Sequence, residues 1–476
     1  MVHHARSILL VAAALLVAPT MARATRTDEA GVAEYQATVE QILASSLSQG
    51  QAYAMLSELC RVAPRRLSGS PGASAATAWA RETLRELGFE NIRLEEVTVP
   101  HWVRGDVGEV RFAKPPELSG DRIPMLALGG SIATPEAGIT AEVILADGLD
   151  AVAALGEQAR GKIVLLNRPM DPSLVSTFDA YGGAVSQRSR GAIEAAKVGA
   201  VAALVRSMTT GHDDIPHTGA THYTEGIPKI PFAAVSTNGA DHIASLIESG
   251  KRVVLNLRQN CRTLPETEGH NVIGELIGRE NPEEILVVGG HLDAWDVGQG
   301  AHDDGGGCCQ AIEAVRLIKS LGLRPRRTLR VVLFANEENG LGGGNAYLAA
   351  HRDEMDRHVL ALESDSGSFT PRGFTTDANP EAFAILSGVS ALLDKAGAGL
   401  LEPGGGGADI GPMKVEGVVQ LGYLPDSQRY FDLHHTHEDT LDKVSPREIN
   451  LGAGVMAAML YVIADLPTTL PRNEVK

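Results

Sequence analysis

The part of the chain after residue 270 alternates between short apolar runs and amphipathic stretches, and this alternation constrains the fold more than any other feature. The apolar runs are EEILVVGG, TLRVVLFA, HVLALESD and VVQLGYL. The amphipathic stretches include residues 310–321 and 446–465 and indicate helices. Strands that alternate with helices form a mainly parallel sheet with helices on both faces. The sequence therefore predicts an α/β fold with three α/β/α layers around a mainly parallel central sheet.

Residues 118–265 have a different sequence pattern from the α/β part that follows them. Short strand candidates such as IPMLALGG, AEVILAD and GKIVLLNRP are separated by Gly, Pro and Asp, with one helix–strand unit among them. This pattern predicts a small β-rich domain with a few helices, inserted into the larger domain. We therefore divide the chain into a first part at 25–117, the insertion at 118–265 and a second part at 266–476.

The N-terminal residues 1–24 have the pattern of a secretory signal peptide. Arg6 supplies a weakly basic start, an apolar run of 11 residues begins at Ile8, and a small-x-small cleavage site ends at Ala24. Such a run is too short to cross ~30 Å of hydrocarbon, and an uncleaved anchor is the alternative interpretation. We expect an exported protein, secreted or periplasmic, with no membrane segment after cleavage.

The charge balance of the chain is acidic. Lys and Arg number 42 against 59 Asp and Glu, which gives a formal net charge of −17. A nucleic-acid partner is excluded because phosphate binding requires basic surfaces. Hydrophobic residues make up 44% of the chain, which is typical of a globular protein and argues against a fibre or long disorder. The 4 cysteines are too few for a disulfide framework, and a pairing of Cys60 with Cys261 is left open.

Metal-ligand residue types follow the apolar runs, at the point where each predicted strand ends. Ligands of open α/β sheets bind beyond the carboxyl ends of the strands, so these side chains should converge. Burial of many carboxylates together requires cations, and imidazoles mixed with carboxylates favour zinc. Two histidines and three carboxylates suffice for two ions about 3.5–4 Å apart that share one carboxylate. The clusters are His291-Leu292-Asp293, His302-Asp303-Asp304, Glu337-Glu338, Glu363-Ser364-Asp365 and the stretch 434–439.

Four motifs, GGHLDAWDVGQGAHDDGGG, NEENG, ESDSG and HHTHEDT, resemble those of the co-catalytic dizinc exopeptidases. This is the aminopeptidase and glutamate carboxypeptidase family of metallopeptidases. The resemblance extends from residue 62 to residue 465. It implies a zinc exopeptidase fold in which the insertion resembles a protease-associated domain. It also implies two zinc ions per subunit and a homodimer.

The resemblance implies five metal ligands, two for each ion and one that bridges the ions. They are, in that order, His291 with Asp365, Glu338 with His435, and the bridging Asp303. His435 is chosen because it precedes Asp439 in an H-x-x-x-D-T pattern, and His437 is the alternative. His302 is expected to be a non-ligand, and metal binding by His302 would change the assignment.

Two further residues receive catalytic roles from the same resemblance. Glu337, next to the ligand Glu338, is implied as the general base. It would take a proton from the water that bridges the two metal ions and so convert this water into hydroxide. Asp293 is expected to orient His291 through the second ring nitrogen of that histidine. Adjacent glutamates suit this division, because one can bind metal while its neighbour stays free.

The implied function is hydrolysis of dipeptides or short peptides with free termini by an exported dizinc metallo-exopeptidase. An aminopeptidase of broader specificity or another dizinc amide hydrolase is the alternative, and a non-catalytic receptor-like homologue is a third interpretation. The sequence leaves open the side-chain preference, the peptide terminus recognised, the metal bound in vivo and the choice between periplasm and medium. His217, in the segment PHTG, either reaches toward the substrate or belongs to a plain loop.

Overall fold

The computed structural model describes residues 31–475, so the signal peptide predicted at residues 1–24 lies outside the described residues. Helices and strands alternate along the second half of the chain as the sequence predicts. The helices are α1 (Gln36–Gln49), α2 (Ala52–Val62), α3 (Pro71–Glu86), α4 (Gly148–Leu155), α5 (Thr177–Ala184), α6 (Ser186–Lys197), α7 (Thr237–Glu248), α8 (Gly306–Ser320), α9 (Gly342–His351), α10 (Pro380–Ala391), α11 (Tyr430–Leu433) and α12 (Pro446–Asp465). The strands are β1 (Glu90–Val103), β2 (Gly108–Lys114), β3 (Arg122–Ile123), β4 (Met125–Ala127), β5 (Ile139–Ala146), β6 (Ile163–Leu166), β7 (Ala202–Arg206), β8 (Phe232–Val235), β9 (Val254–Gln259), β10 (Arg262–Leu276), β11 (Asn281–His291), β12 (Arg327–Phe334), β13 (His358–Glu363), β14 (Pro371–Thr376), β15 (Leu400–Pro403) and β16 (Val419–Pro425).

The central sheet has the strand order β1-β10-β12-β11-β13-β16-β14-β15. The inner strands β12, β11, β13 and β16 pair in parallel. On one side β10 joins β12 and β1 joins β10, both antiparallel, and on the other side β14 joins β16 antiparallel. A parallel pair of β14 and β15 forms the far edge. The predicted α/β class is confirmed, but the sheet is mixed and its parallel pairing is concentrated in the centre.

The inner strands bury both of their faces. Leu286 and Val288 of β11 pack with residues of α8 and α12, whereas Ile285 and Val287 of the same strand pack with residues of α9. This alternation follows from the two-residue period of a strand, which sends successive side chains to opposite faces. A strand buried on both faces reads as a continuous apolar run, and the resulting arrangement has the three predicted layers.

Helix α12 is long and apolar enough to cross a membrane by length and composition alone. Its most apolar window is 83% buried inside the protein, and the helix packs along α8. We therefore interpret α12 as a core helix of the central domain.

A second sheet has the order β3-β2-β9-β5-β6-β7-β8-β4. Strands β5 to β8 pair in parallel, and α4, α6 and α7 pack against them, so this region is itself mixed α/β. In sequence it lies between β1 and β10, which pair with each other in the central sheet. Because β2 precedes residue 118 and yet pairs in the second sheet, the domain boundaries at 118 and 265 stay a prediction.

The 4 cysteines are all buried and form no disulfide. Cys60 and Cys261, whose pairing the sequence leaves open, are free thiols in this structure. Burial raises the pKa of each of these two thiols to about 11, which keeps them protonated and unreactive near neutral pH.

Candidate metal centre

Three parallel strands end at one edge of the central sheet, and metal-ligand side chains lie there. His291 is the last residue of β11, Glu338 follows β12, and Asp365 follows β13. Asp303 lies in the irregular turn that leads into α8, and His435 follows α11. The structure therefore brings the five predicted ligands together from five separate segments.

Asp303 lies between the two histidines, with one carboxylate oxygen toward each. Its Oδ1 is 3.2 Å from His291 Nε2, and its Oδ2 is 3.3 Å from His435 Nε2. On the outer sides, Asp365 Oδ1 is 3.4 Å from His291 Nε2, and Glu338 Oε2 is 3.1 Å from His435 Nε2. The five side chains thus form two groups of three that share Asp303.

These separations have the size expected around bound cations. A tetrahedral zinc ion with nitrogen and oxygen ligands at about 2.0–2.1 Å holds its ligand atoms about 3.3–3.4 Å apart. Among the described residues, His291 Nε2 and Asp303 Oδ2 are buried and have no hydrogen-bond partner. Buried polar atoms of this kind are rare unless an ion or water satisfies them. The residues present fit two zinc ions that share one carboxylate.

Burial opposes the ionisation of several carboxylates of the cluster. Burial raises the pKa of Glu338 well above its ordinary value, and nearby Asp303 raises it further. Burial also raises the pKa of Asp365 and that of Glu337, the latter to about 8. These directions describe the protein groups alone, and divalent cations among them would favour the ionised forms.

Glu337 is adjacent to the ligand Glu338 but belongs to neither group of three. It is partly buried, and its backbone N–H donates to Asp293 Oδ1 at 3.0 Å. Ser68 Oγ donates to the other oxygen of that carboxylate at 3.0 Å. The Asp293 carboxylate therefore fixes the backbone of the predicted general base and is itself fixed by Ser68.

Asp293 also contacts His291, but mainly through its backbone. His291 Nδ1 is 3.1 Å from the Asp293 carbonyl oxygen and 3.8 Å from its carboxylate. A ligand histidine commonly donates its second N–H to a carbonyl or a carboxylate. The predicted orienting contact is therefore present, with the carbonyl as the nearer acceptor.

Arg66 is a buried residue that the sequence analysis did not assign. Its Nε donates to the carbonyl of Leu292 at 2.6 Å, Nη1 to that of Gln299 at 2.5 Å, and Nη2 to that of Gly300 at 2.8 Å. The first carbonyl follows β11 and the other two precede the turn into α8. Arg66 therefore connects the segment that follows His291 with the segment that precedes the predicted bridging ligand Asp303.

Two further buried carboxylates hold ligand backbones. Asp439 accepts hydrogen bonds from the backbone N–H groups of His302 at 2.7 Å and of Asp303 at 3.2 Å. Asp304 accepts one from the backbone N–H of His291 at 3.1 Å. The H-x-x-x-D-T pattern was the signal that could have identified Asp439, whereas no local pattern marks the bond made by Asp304.

The two alternative histidines lie outside both groups of three. His437 is exposed, and its Nε2 lies 3.4 Å from Glu438. His302 stacks on Phe369 with ring centroids 4.3 Å apart, and its Nδ1 accepts the backbone N–H of Ser368 at 3.1 Å. His435 Nε2 lies beside the carboxylates of Asp303 and Glu338, whereas the contacts of these two imidazoles are with other residues.

His434 stacks on His435 with ring centroids 3.5 Å apart. Its Nε2 is 3.9 Å from Asp303 Oδ2, farther than the corresponding nitrogen of His435. His217 Nδ1 lies 2.8 Å from the His434 carbonyl oxygen, and burial lowers the pKa of His217 to about 3. A neutral His217 therefore supports the backbone of the histidine pair.

The chain is similar to known peptidases over most of its length. Residues 271–460 match the family model of peptidase family M28. Carboxypeptidase Q of Bos taurus is 39% identical over 426 residues, which are 90% of this chain and 88% of that protein. The crystal structure of a peptidase M28 precursor from Shewanella amazonensis SB2B is 34% identical with a TM-score of 0.89, and the match covers 94% of this chain and 100% of that one. A zinc aminopeptidase from Bacillus subtilis shares the fold, with a TM-score of 0.64 at 19% identity over 88% of this chain and 98% of that one.

The relatives agree with the family resemblance carried by the sequence motifs. Within that family, the segments RRLSGSPG, IPMLALGGSIATP, GKIVLLN and IEAAKVGA point to carboxypeptidase Q, and the high identity to that protein confirms the likeness. The chain belongs to peptidase family M28 and is a zinc metallopeptidase.

Proposed function

We propose that the chain is an exported dizinc exopeptidase that hydrolyses dipeptides or short peptides with free termini. The observation that carries the proposal is the convergence of five ligands in two groups that share Asp303, beside Glu337, which belongs to neither group. Export is inferred from the signal pattern at residues 1–24, and a homodimer from the family resemblance. A non-catalytic homologue would be expected to lack ligands or the base, whereas this chain has both.

Each ligand has a defined part in the proposed centre. His291 and Asp365 would hold one ion, Glu338 and His435 would hold the other, and Asp303 would be shared by both. Two zinc ions bound there supply a water of lowered pKa and a polarised scissile carbonyl.

Glu337 carries the proton in the proposed reaction. Its carboxyl is beside the ligands but free of them, so it can accept a proton from the attacking water and pass it to the leaving amine. Asp293 supports this role because its carboxylate holds the Glu337 backbone N–H at 3.0 Å. A general base of this kind contributes about 10²–10⁴-fold to the rate.

The region of the second sheet forms part of the wall around the site, which supports small substrates. The Thr218 carbonyl lies 3.3 Å from His435 Nδ1, and the rings of Tyr181 and His434 are 5.4 Å apart. A covered site admits short peptides and excludes folded chains. Assignment of this region as a protease-associated-like domain is part of the proposal.

A test combines metal content with turnover. The mature chain, reconstituted with Zn²⁺, should hydrolyse members of a dipeptide panel with two zinc ions per chain. Glu337→Gln should keep both ions and lose about 10²–10⁴-fold in kcat, whereas Glu266→Gln, at an exposed position on β10, should behave as the wild type. Fully metallated protein that cleaves no dipeptide and no aminoacyl amide would contradict the proposal, and cleavage of the amides alone would favour a broader aminopeptidase.

A further inference from the structure

Trp295, two residues after Asp293, contacts both side chains proposed to hold the second ion, Glu338 and His435. Its backbone N–H donates to Glu338 Oε1 at 3.1 Å, while Oε2 of the same carboxylate faces His435 Nε2. The Trp295 ring meets the His435 ring in an edge-to-face arrangement, with centroids 5.6 Å apart. A shift of Trp295 would therefore disturb both of these side chains at once.

The indole of Trp295 lies between the central domain and the region of the second sheet. The residue is 3% exposed and belongs to a small apolar cluster that includes Leu67 and Ala127. Leu67 precedes α3 of the central domain, whereas Ala127 ends β4 of the second sheet. The side chain thus joins the two regions at the point where its backbone N–H holds Glu338.

Gly129 provides the surface of the second region on which the indole packs. A Cβ at Gly129 would lie 2.5 Å from Trp295 Cζ3 and closer still to Cη2, well inside the about 3.5–4.0 Å at which carbon atoms normally pack. The φ of Gly129 is outside the left-handed region, so the indole, and not the backbone conformation, excludes a side chain here. The Gly129 N–H donates to the Gly219 carbonyl at 2.9 Å, and its carbonyl accepts the Thr221 N–H at 2.8 Å. A backbone fixed on both sides therefore packs directly against the indole.

Polar contacts connect the same two regions beside the indole. Asp296 accepts from Arg104 Nε at 2.9 Å, and Arg104 also donates to the Ala127 carbonyl. Within residues 31–475, by contrast, Trp295 Nε1 has no hydrogen-bond partner. The position of the indole therefore depends on the surfaces that pack against it, including Gly129.

We propose that Trp295 is a positioning residue that makes the site of the second ion depend on docking of the second region. This inference rests on the two-ion centre of the proposed function. Through Gly129, the docked region holds the indole against His435, and the Trp295 backbone in turn holds Glu338 Oε1. Contacts behind metal ligands orient those ligands and raise metal affinity.

Gly129→Ala tests this contact, because the three atoms nearest to the added methyl group all belong to the indole. Zinc affinities of the mature chain are measured by competition with a chelator. Gly129→Ala should weaken binding of one ion by about 10–100-fold and leave the other within about threefold of the wild type. At limiting zinc, diffraction at the zinc absorption edge should show the loss at the peak beside Glu338. Gly183→Ala on α5 is the matched control, because an added Cβ there meets no atom within 4 Å, and it should leave both affinities unchanged.

Trp295→Phe removes the distal ring atoms that the methyl group would meet. In this background Gly129→Ala should cost less than about threefold in zinc affinity, because the two changes act through one contact. If Gly129→Ala fails to fold, Trp295→Leu carries the test and should weaken one ion by about tenfold or more. Trp102→Leu is its control, because Trp102 packs in the same cluster and donates to the Ser131 carbonyl at 2.9 Å. That variant should bind both ions as the wild type does.

Two results would overturn the inference while the two-ion centre stands. One is wild-type affinity for both ions in Gly129→Ala, or an equal loss with and without Trp295→Phe. The other is an equal loss of affinity in Trp295→Leu and Trp102→Leu. A wild-type chain that binds a single zinc ion would overturn the proposed centre and this inference together.

Discussion

Replacement of Ser68 by alanine tests whether the position of the general base depends on the bonds behind it. Ser68 is 3% exposed and donates to Asp293 Oδ2, while Asp293 Oδ1 accepts the Glu337 backbone N–H. Loss of the hydroxyl leaves the Asp293 carboxylate without this donor, so the carboxylate can rotate and Glu337 can move relative to the metal ligands. No metal ligand is touched directly by the change.

The magnitude follows from the role of such supporting bonds. Removal of a partner behind a metal site typically costs about 10–100-fold in activity or metal affinity, which corresponds to about 1.4–2.7 kcal/mol. Because Ser68 acts on Glu337 through Asp293, we expect the loss in kcat, with zinc content unchanged. The unsatisfied carboxylate oxygen should also lower the free energy of unfolding by about 1–3 kcal/mol.

Steady-state kinetics on a dipeptide, zinc analysis and urea unfolding together read out these effects. Ser70→Ala is the matched control, because Ser70 Oγ accepts the Ala73 N–H at 3.1 Å as the N-cap of α3. That variant should lose about 1 kcal/mol of stability and keep its kcat. A wild-type kcat in Ser68→Ala, or an equal loss of kcat in Ser70→Ala, would refute the reasoning.

Three further predictions follow from other contacts. Arg66→Met should weaken zinc binding by about 10–100-fold, measured by competition with a chelator, because the segments after β11 and before α8 lose their common donor; unchanged affinity would contradict this. His435→Ala should bind one zinc ion fewer per chain, whereas His437→Ala should match the wild type in zinc analysis; the reverse would assign the ligand to His437. Although burial opposes its ionisation, hydrogen bonds from Arg330 lower the pKa of Glu354 to about 2 from 4.5. The ionised Glu354 therefore contributes its full stability above pH ~4.5, and this contribution is lost as the pH falls toward ~2. The difference in unfolding free energy between wild type and Glu354→Gln should shrink from pH 6 to pH 3. A constant difference would contradict this prediction.

Much of the fold could be predicted because its central strands are buried on both faces. The run TLRVVLFA corresponds to β12, and the stretch 446–465 corresponds to α12 in full. Strand β14 was not predicted, because its sequence PRGFTT contains Pro and Gly and lacks an apolar run. Its pairing with β16 is a tertiary contact that local sequence does not encode.

In the candidate site, the ligand residues could be predicted from the sequence, but most of the residues that support them could not. The ligand residues stand in compact motifs at strand ends, so the sequence could propose them. The residues behind them are remote in sequence: Arg66 bonds to the carbonyl of Gly300, and Ser68 bonds to Asp293. Such contacts depend on how distant segments pack, and neither Arg nor Ser in isolation signals them. For Asp293 the sequence indicated the right neighbour but could not separate the carbonyl from the carboxylate as the nearer acceptor.

X-ray diffraction at the zinc absorption edge tests the central claim most directly. Crystals of the zinc-loaded protein should show two anomalous peaks per chain, about 3.5–4 Å apart. One peak should lie among His291, Asp303 and Asp365, and the other among Asp303, Glu338 and His435. A single peak, or two peaks that do not share Asp303, would contradict the account.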